Sequence, residues 1–250
     1  MNTEILDRMK RMRMPGMHRA FTTSLENGAA EKFTPDEMVA FLINSEWDDQ
    51  QNRTIDRSLR KARFRYKATV EQIDYSEERG IDKNQIHRFA ECSFITKSEN
   101  ILITGPTGTG KSFLSSSLGH QACTVGFKVL YINASRLFTQ LKMAKADGSI
   151  IKEMNKIERQ DLLIIDDFGM QPFDNHNRVS LLEIIEDRHG KRSTIITSQL
   201  PVKQWYDVIG ENTVADAVLD RIVHNAHRIE LKGESLRRKW KKDKEDDVLG

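Results

Sequence analysis

Residues 105–112 combine glycines with a final lysine and serine, at a spacing suited to binding phosphate groups. They read G-P-T-G-T-G-K-S and fit the phosphate-loop pattern G-x-x-x-x-G-K-S/T. Glycines let successive backbone N–H groups curl around phosphate oxygens. Lys111 would bring positive charge to the β- and γ-phosphates, and the Ser112 hydroxyl would ligate Mg²⁺. The predicted nucleotide-binding residues are Gly105, Pro106, Thr107, Gly108, Thr109, Gly110, Lys111, Ser112 and Phe113.

Two adjacent acids, Asp166 and Asp167, end an uninterrupted apolar run at residues 162–165. Such a run predicts a strand buried on both faces of a parallel sheet. Open α/β sheets bind ligands beyond the carboxyl ends of their strands. We therefore predict that Asp166 holds Mg²⁺ together with Ser112, and that Asp167 orients and polarises the attacking water.

Further polar residues follow the last strands. Gln199 stands at the tip of a predicted strand over 194–197, where it would sense the γ-phosphate; an ordinary loop residue is the alternative. The basic tail from Gly233 to Lys244 contains Arg237 and Arg238. Either arginine would reach a phosphate, and the alternative is a solvated charged run.

The elements that must position these residues alternate between strand and helix. A strand over 101–104 precedes the phosphate loop, and the helix after the loop is expected to stop at Gly126. The helix that follows Pro172 is expected to bury Val179, Leu182 and Ile185. The order predicts an α/β fold with a five-stranded parallel sheet. Its other predicted elements are strands over 128–132, 162–167 and 228–231, and helices over 134–145, 150–158 and 216–223.

The N-terminal part predicts helices with a basic surface. Thr34, Pro35 and Glu37 form a helix start with a capping box. Apolar residues from Ile55 to Tyr66 recur at helical spacing, and bases fill the other faces. Because like charges repel along a helix, phosphate contact is one interpretation and a solvated face is the other. The predicted DNA-binding residues are Arg53, Arg57, Arg60, Lys61, Arg63, Arg65 and Lys67.

Length and composition set the outer limits. The 250 residues allow one substantial domain with an appendage, and a net charge of +2 confines nucleic-acid affinity to local patches. No run approaches the roughly 18 apolar residues of a membrane helix, and the N-terminus lacks the apolar core of a signal peptide. Two cysteines suit a reducing compartment. We predict a helical DNA-binding domain over 1–69, an ATPase domain over 70–232 and a basic tail over 233–250.

The order of elements resembles the AAA+ ATPases, in which the strand that carries the polar sensor lies between the phosphate-loop strand and the acidic strand. The helix pair over 134–158 resembles the insertion of the initiator and helicase-loader group (DnaA, DnaC). Several stretches are similar to the IstB-like helper ATPases of insertion-sequence transposition. They include M-P-G-M, E-W-D-D-Q-Q-N-R, L-L-I-I-D-D-F-G and T-S-Q-L-P-V-K-Q-W.

This resemblance implies an AAA+ P-loop NTPase preceded by a small all-helical N-terminal domain, with ATP and Mg²⁺ as cofactors. It implies ATP hydrolysis, assembly as a homo-oligomer on duplex DNA, an IstA-type transposase as partner, and a cytoplasmic, nucleoid-associated protein without membrane contact. Lys111, Asp167, Gln199 and Arg221 would be catalytic, Arg221 as a finger in a neighbour's site. A local Asp220–Arg221 pair is the alternative. Asp167 departs from the usual glutamate and Gln199 from the usual asparagine.

Three other functions remain open from the sequence. A helicase loader would share the ATPase core but bind a helicase through its N-terminal part. A small-molecule kinase would need an acceptor pocket and would have no use for Arg221. A nucleotide-dependent DNA clamp without hydrolysis would fit the aspartate at position 167.

Overall fold

The computed structural model describes residues 2–76 and 79–236. The chain divides into two compact units, Met1–Arg57 and Ser58–Gly250. The three-part division drawn from the sequence stays a prediction. Arg237, Arg238 and the rest of the basic tail lie outside the described residues.

The first unit is helical. It contains α1 (Asn2–Arg11), α2 (Pro15–Glu26) and most of α3 (Pro35–Ala62), whose last residues belong to the second unit. The predicted capping box is present, since the Thr34 N–H donates to Glu37 Oε2 at 2.8 Å. In return, the Glu37 N–H donates to the Thr34 hydroxyl oxygen at 3.4 Å.

A buried carboxylate joins α2 to α3 inside this unit. Glu46 Oε2 accepts the N–H groups of Gly16 at 2.8 Å and Met17 at 3.1 Å, at the amino end of α2. This is the helix end that favours negative charge. A Cβ atom at position 16 would lie 2.4 Å from the Ser45 carbonyl oxygen, so the close approach of the two helices requires glycine.

The second unit is built on a five-stranded sheet in the order β2-β3-β4-β1-β5, with every pair parallel. The predicted five-stranded parallel sheet is confirmed. The strand that precedes Gln199 lies between the phosphate-loop strand and the acidic strand, as the AAA+ resemblance implied. The strands are β1 (Asn100–Thr104), β2 (Val129–Asn133), β3 (Leu162–Phe168), β4 (Ser193–Ser198) and β5 (Ala226–Glu230).

Helices cover both faces of this sheet. Alternate residues of each strand point to opposite faces, and apolar side chains on both faces are buried under the helices. In β3, Leu162 and Ile164 pack into one buried cluster, while Leu163 and Ile165 pack into the other. The helices are α4 (Lys83–Ala90), α5 (Ser93–Thr96), α6 (Lys111–Val125), α7 (Ala134–Ala146), α8 (Ile150–Glu158), α9 (Asn175–Arg188), α10 (Trp205–Ile209) and α11 (Asn212–Val223). Short 3₁₀ turns lie at Ala29–Lys32, Val70–Gln72 and Val202–Gln204.

Two helical predictions are wrong in part. Of the three residues predicted to be buried in α9, Ile185 is buried and Leu182 packs partly against the core, but Val179 is 44% exposed. The buried face consists of Leu181, Ile184, Ile185 and Arg188. The basic helix does not reach residue 67, because α3 ends at Ala62 and Arg63 adopts a left-handed φ of +59°. Arg63, Arg65 and Lys67 therefore do not lie on the faces of that helix.

Cys92 and Cys123 are both buried and free of disulfides. Within residues 2–76 and 79–236, no helix combines the length and apolar character needed to cross a membrane.

Candidate nucleotide-binding site

The phosphate loop connects β1 to α6. Gly108 and Gly110 have φ values of +86° and +91°, a region that side chains other than glycine rarely adopt. Lys111 begins α6, and its buried Nζ donates to the carbonyl oxygens of Gly105 and Pro106, both at 2.8 Å. The loop therefore places backbone donors, a helix amino end and a lysine around one point, which is the arrangement that binds phosphate.

Asp166 is fully buried at the carboxyl end of β3. The Ser112 hydroxyl donates to its Oδ1 at 2.8 Å, and the hydroxyls of Thr197 and Tyr131 also donate to it. Burial raises the pKa of Tyr131 and the nearby Asp166 raises it further, so this tyrosine stays protonated and remains a donor. The fold brings Ser112 and Asp166 together as the oxygen pair that suits Mg²⁺, which typically takes one or two protein ligands and phosphate oxygens.

Asp167 has a left-handed backbone with φ +57°, within an irregularity of the β3–β4 pairing between Ile165 and Phe168. Its backbone N–H donates to the Thr197 hydroxyl oxygen at 3.1 Å. Its Oδ2 accepts hydrogen bonds from Nδ2 of Asn133 and Nη1 of Arg65, both at 3.1 Å. Strained backbone of this kind persists where the surroundings fix it, and it concentrates at functional sites.

Gln199 lies beside the phosphate loop, and its role as a sensor of the γ-phosphate stays a prediction. The Thr107 hydroxyl donates to its Oε1 at 2.6 Å. A cavity of about 410 Å³ is lined by Thr107, Lys111, Asp167 and Gln199. This volume lies within the range typical of small-molecule sites. The lining also includes Gly108, Gly110, Ser112 and Phe113 of the predicted nucleotide-binding residues.

Arg79 is a site residue that the sequence did not reveal. Its guanidinium is buried and donates to the carbonyl oxygens of Thr109 at 2.5 Å and Asp74 at 3.2 Å. Burial lowers the pKa of Arg79, and the neighbouring Asp74 acts in the opposite direction. Arg79 thus ties the segment before α4 to the phosphate loop. The sequence does not show this contact, because it joins residues 30 positions apart.

We expect Arg79→Ala to weaken binding of a non-hydrolysable ATP analogue by about 10- to 100-fold, because a hydrogen bond from a charged donor contributes roughly 1.5–3 kcal/mol. The Thr109 carbonyl would lose its donor and the loop would loosen. Titration calorimetry measures the affinity. Arg88→Ala, an exposed change on α4, is the control and should bind normally. Equal affinity in the two variants would show that the loop does not depend on Arg79.

Arg221 lies on α11 and is not among the described residues that line the nucleotide cavity. Its Nη2 lies 2.7 Å from Glu186 Oε1 on α9, and its Nη1 donates to the Ala217 carbonyl oxygen at 2.8 Å. The partner within the chain is therefore Glu186 and not Asp220. Its action in a neighbouring subunit stays a prediction.

The predicted DNA-binding residues have different surroundings in the structure. In the first unit, Arg53 pairs with Glu46 at 3.1 Å and with Asp49 at 2.6 Å, so it holds two nearly buried acids. In the second unit, Arg65 contacts the acids of the nucleotide site, Asp166 at 3.4 Å and Asp167 at 3.1 Å. The remaining members are exposed and stay predicted DNA contacts: Arg57, Arg60, Lys61, Arg63 and Lys67.

The sheet order, the phosphate loop and the two acids at the end of β3 define an AAA+ P-loop fold. Solved structures agree on the fold. DnaI is 21% identical with a TM-score of 0.58, covering 71% of this chain and 94% of that chain. AMPPCP-bound DnaA from Aquifex aeolicus is 21% identical with a TM-score of 0.59, covering 74% and 56%.

The chain belongs to the family of IstB-like ATP binding proteins, whose model matches residues 7–244. An insertion sequence ATP-binding protein of Sinorhizobium fredii (strain NBRC 101917 / NGR234) is 44% identical over 233 residues, which cover 93% of this chain and 95% of that protein. A Pseudomonas aeruginosa protein named for insertion sequence IS21 is 29% identical over 234 residues, covering 94% and 88%.

Proposed function

We propose that the protein is an ATP-dependent, DNA-binding helper of insertion-sequence transposition. It assembles as a homo-oligomer on duplex DNA, hydrolyses ATP and delivers target DNA to a partner transposase. The observation that carries the ATPase part is the 2.8 Å hydrogen bond from Ser112 to buried Asp166, beside the phosphate loop. The names of the relatives support the link to insertion sequences.

Each residue of the site has a separate role in this proposal. The backbone N–H groups of the phosphate loop and Lys111 bind the β- and γ-phosphates. Ser112 and Asp166 would hold Mg²⁺, which neutralises charge on the phosphate oxygens when bound. Asp167 orients the attacking water, and its position is fixed by Asn133 at 3.1 Å. Gln199 reaches the γ-phosphate from the tip of β4.

The test is nucleotide-dependent assembly on DNA. The parent protein should form ordered oligomers on duplex DNA with a non-hydrolysable ATP analogue and release them with ADP, as seen by electron microscopy. Lys111→Ala should lose this dependence, because the charge opposite the phosphates is gone. The exposed variant Arg88→Ala should assemble like the parent. A Lys111→Ala protein that coats DNA equally well, whatever the nucleotide, would contradict the proposal.

A further inference from the structure

A second cleft, of about 870 Å³, lies next to the nucleotide site within the second unit. The end of α3 and the segment after it line one side, and α7 and α8 line the other. Three of its lining residues are acidic, namely Glu153, Asp166 and Asp167. Its basic lining residues are Arg60, Lys61, Arg63, Arg65, Arg136 and Lys156.

The basic residues that follow α3 are held in place by packing. The helix stops at Ala62, which is fully buried, and the left-handed backbone of Arg63 turns the chain. The Phe64 ring then packs edge-on against Tyr131, with 6.1 Å between the ring centroids. Arg63 and Arg65 flank this anchored ring, so their backbone is fixed at the cleft while their exposed side chains can reorient.

The charge of the cleft suits a polyanion. Glu153 pairs with Lys156 at 3.1 Å, and the two aspartates face Arg65. Lys61 and Arg63 on one side, with Arg136 on the other, give a basic excess on both walls. A chain of phosphates that runs between the walls would be neutralised from both sides, as in backbone contacts to nucleic acids.

Arg65 connects this cleft to the nucleotide site. Its Nη1 contacts Asp166 Oδ2 at 3.4 Å and Asp167 Oδ2 at 3.1 Å, while its side chain is still 42% exposed. The guanidinium therefore offsets negative charge on the two carboxylates that serve Mg²⁺ and the attacking water in the proposed function. Its exposure leaves it within reach of an anion in the cleft.

We propose that the cleft binds the phosphodiester backbone of DNA and that a bound phosphate draws Arg65 away from Asp166 and Asp167. The ATP site then regains the full negative charge of both carboxylates, so DNA binding strengthens Mg²⁺ binding. This inference rests on the proposed function and names the route by which DNA acts on the ATPase.

The binding part is tested by the salt dependence of DNA affinity. The double variant K61Q/R136Q, which removes one basic side chain from each wall, should reduce the slope of log affinity against log salt by about 2 for duplex DNA and by about 1.4 for a single strand. The matched control K142Q/K145Q changes two exposed lysines of α7 that do not line this cleft, and its slope should equal the parent's. Equal slopes in all three proteins would overturn the cleft assignment. The duplex and single-strand arms show which form of DNA uses it.

The coupling part is tested by Mg²⁺ titration of the complex with a non-hydrolysable ATP analogue. Without DNA, Arg65→Gln should bind Mg²⁺ about tenfold more tightly than the parent, because a positive charge beside the site is removed. DNA should tighten Mg²⁺ binding in the parent and in the exposed control Arg88→Gln, but not in Arg65→Gln.

Equal Mg²⁺ affinity in the parent and Arg65→Gln, or a DNA effect that persists in Arg65→Gln, would overturn the coupling. If the parent binds no DNA, the proposed function fails, and the DNA-coupled route through Arg65 fails with it. The Mg²⁺ comparison without DNA then still decides whether Arg65 weakens the metal site.

Discussion

Replacing Arg221 with alanine is expected to slow ATP turnover by about 10³- to 10⁵-fold, the effect typical of an arginine supplied by a neighbouring subunit. Nucleotide binding by a single subunit should change little, since Arg221 is not among the described residues lining its own cavity. The guanidinium is half-buried and paired with Glu186 at 2.7 Å. A planar donor fixed in this way loses less conformational entropy when it meets a phosphate.

Mixed oligomers separate this role from a local one. Subunits with Arg221→Ala keep an intact pocket, and subunits with Lys111→Ala keep an intact Arg221. If Arg221 acts in the neighbouring site, mixing the two inactive proteins should restore part of the ATPase rate. No recovery in mixtures that are seen to assemble on DNA would indicate a role within the subunit.

Glu186→Gln is the matched control for the loss of the ion pair. An exposed pair of this kind contributes roughly 0–1 kcal/mol to stability, so Glu186→Gln should retain most of the turnover. A loss as large as that of Arg221→Ala would mean that the pair itself matters, and the finger assignment would be wrong.

Replacing Arg188 with alanine is expected to lower the free energy of unfolding by about 3–5 kcal/mol. This side chain is 2% exposed, and none of its hydrogen bonds within the described residues goes to a carboxylate. Its guanidinium donates to the carbonyl oxygens of Ile157, Gln160 and Ser193 at 3.0, 2.9 and 2.5 Å. It therefore joins the end of α8 to the start of β4.

Burial lowers the pKa of Arg188 to about 10, so the guanidinium remains charged at neutral pH. Urea unfolding followed by circular dichroism measures the effect. Arg188→Lys should recover only part of the loss, because an ammonium group cannot satisfy three carbonyls spread over a plane. Arg192→Ala, which removes an exposed pair with Asp161, should cost less than about 1 kcal/mol. An Arg188→Ala protein as stable as Arg192→Ala would show that these hydrogen bonds do not stabilise the fold.

The sequence predicts those parts of the fold that are determined by residues close together in the chain. The phosphate loop, the apolar run before Asp166 and the cap at Thr34 depend on neighbours within a few residues, and the structure contains all three. The sheet order came from the resemblance to AAA+ proteins. Periodicity alone does not determine which strands are neighbours.

The unpredicted parts depend on contacts between distant residues. Arg65 reads as one more base in a basic run, yet it meets Asp167, 102 positions away. In the sequence, Arg188 is a charged residue at the end of a helix, a position typical of exposed side chains. Its burial is explained by the three carbonyl oxygens that accept its hydrogen bonds. Val179 fits the apolar period of α9 but faces solvent, because Leu181 and Ile184 face the core instead.

The left-handed residue in β3 explains how one guanidinium can contact two consecutive acids. Neighbouring side chains in a regular strand point to opposite sides of the sheet. At Asp167 the irregular pairing breaks that alternation, and a single nitrogen of Arg65 touches both carboxylates. An aspartate in this conformation costs roughly 1–3 kcal/mol. We therefore expect Asp167→Gly to raise the thermal stability and, under the proposed function, to lower the rate of ATP turnover.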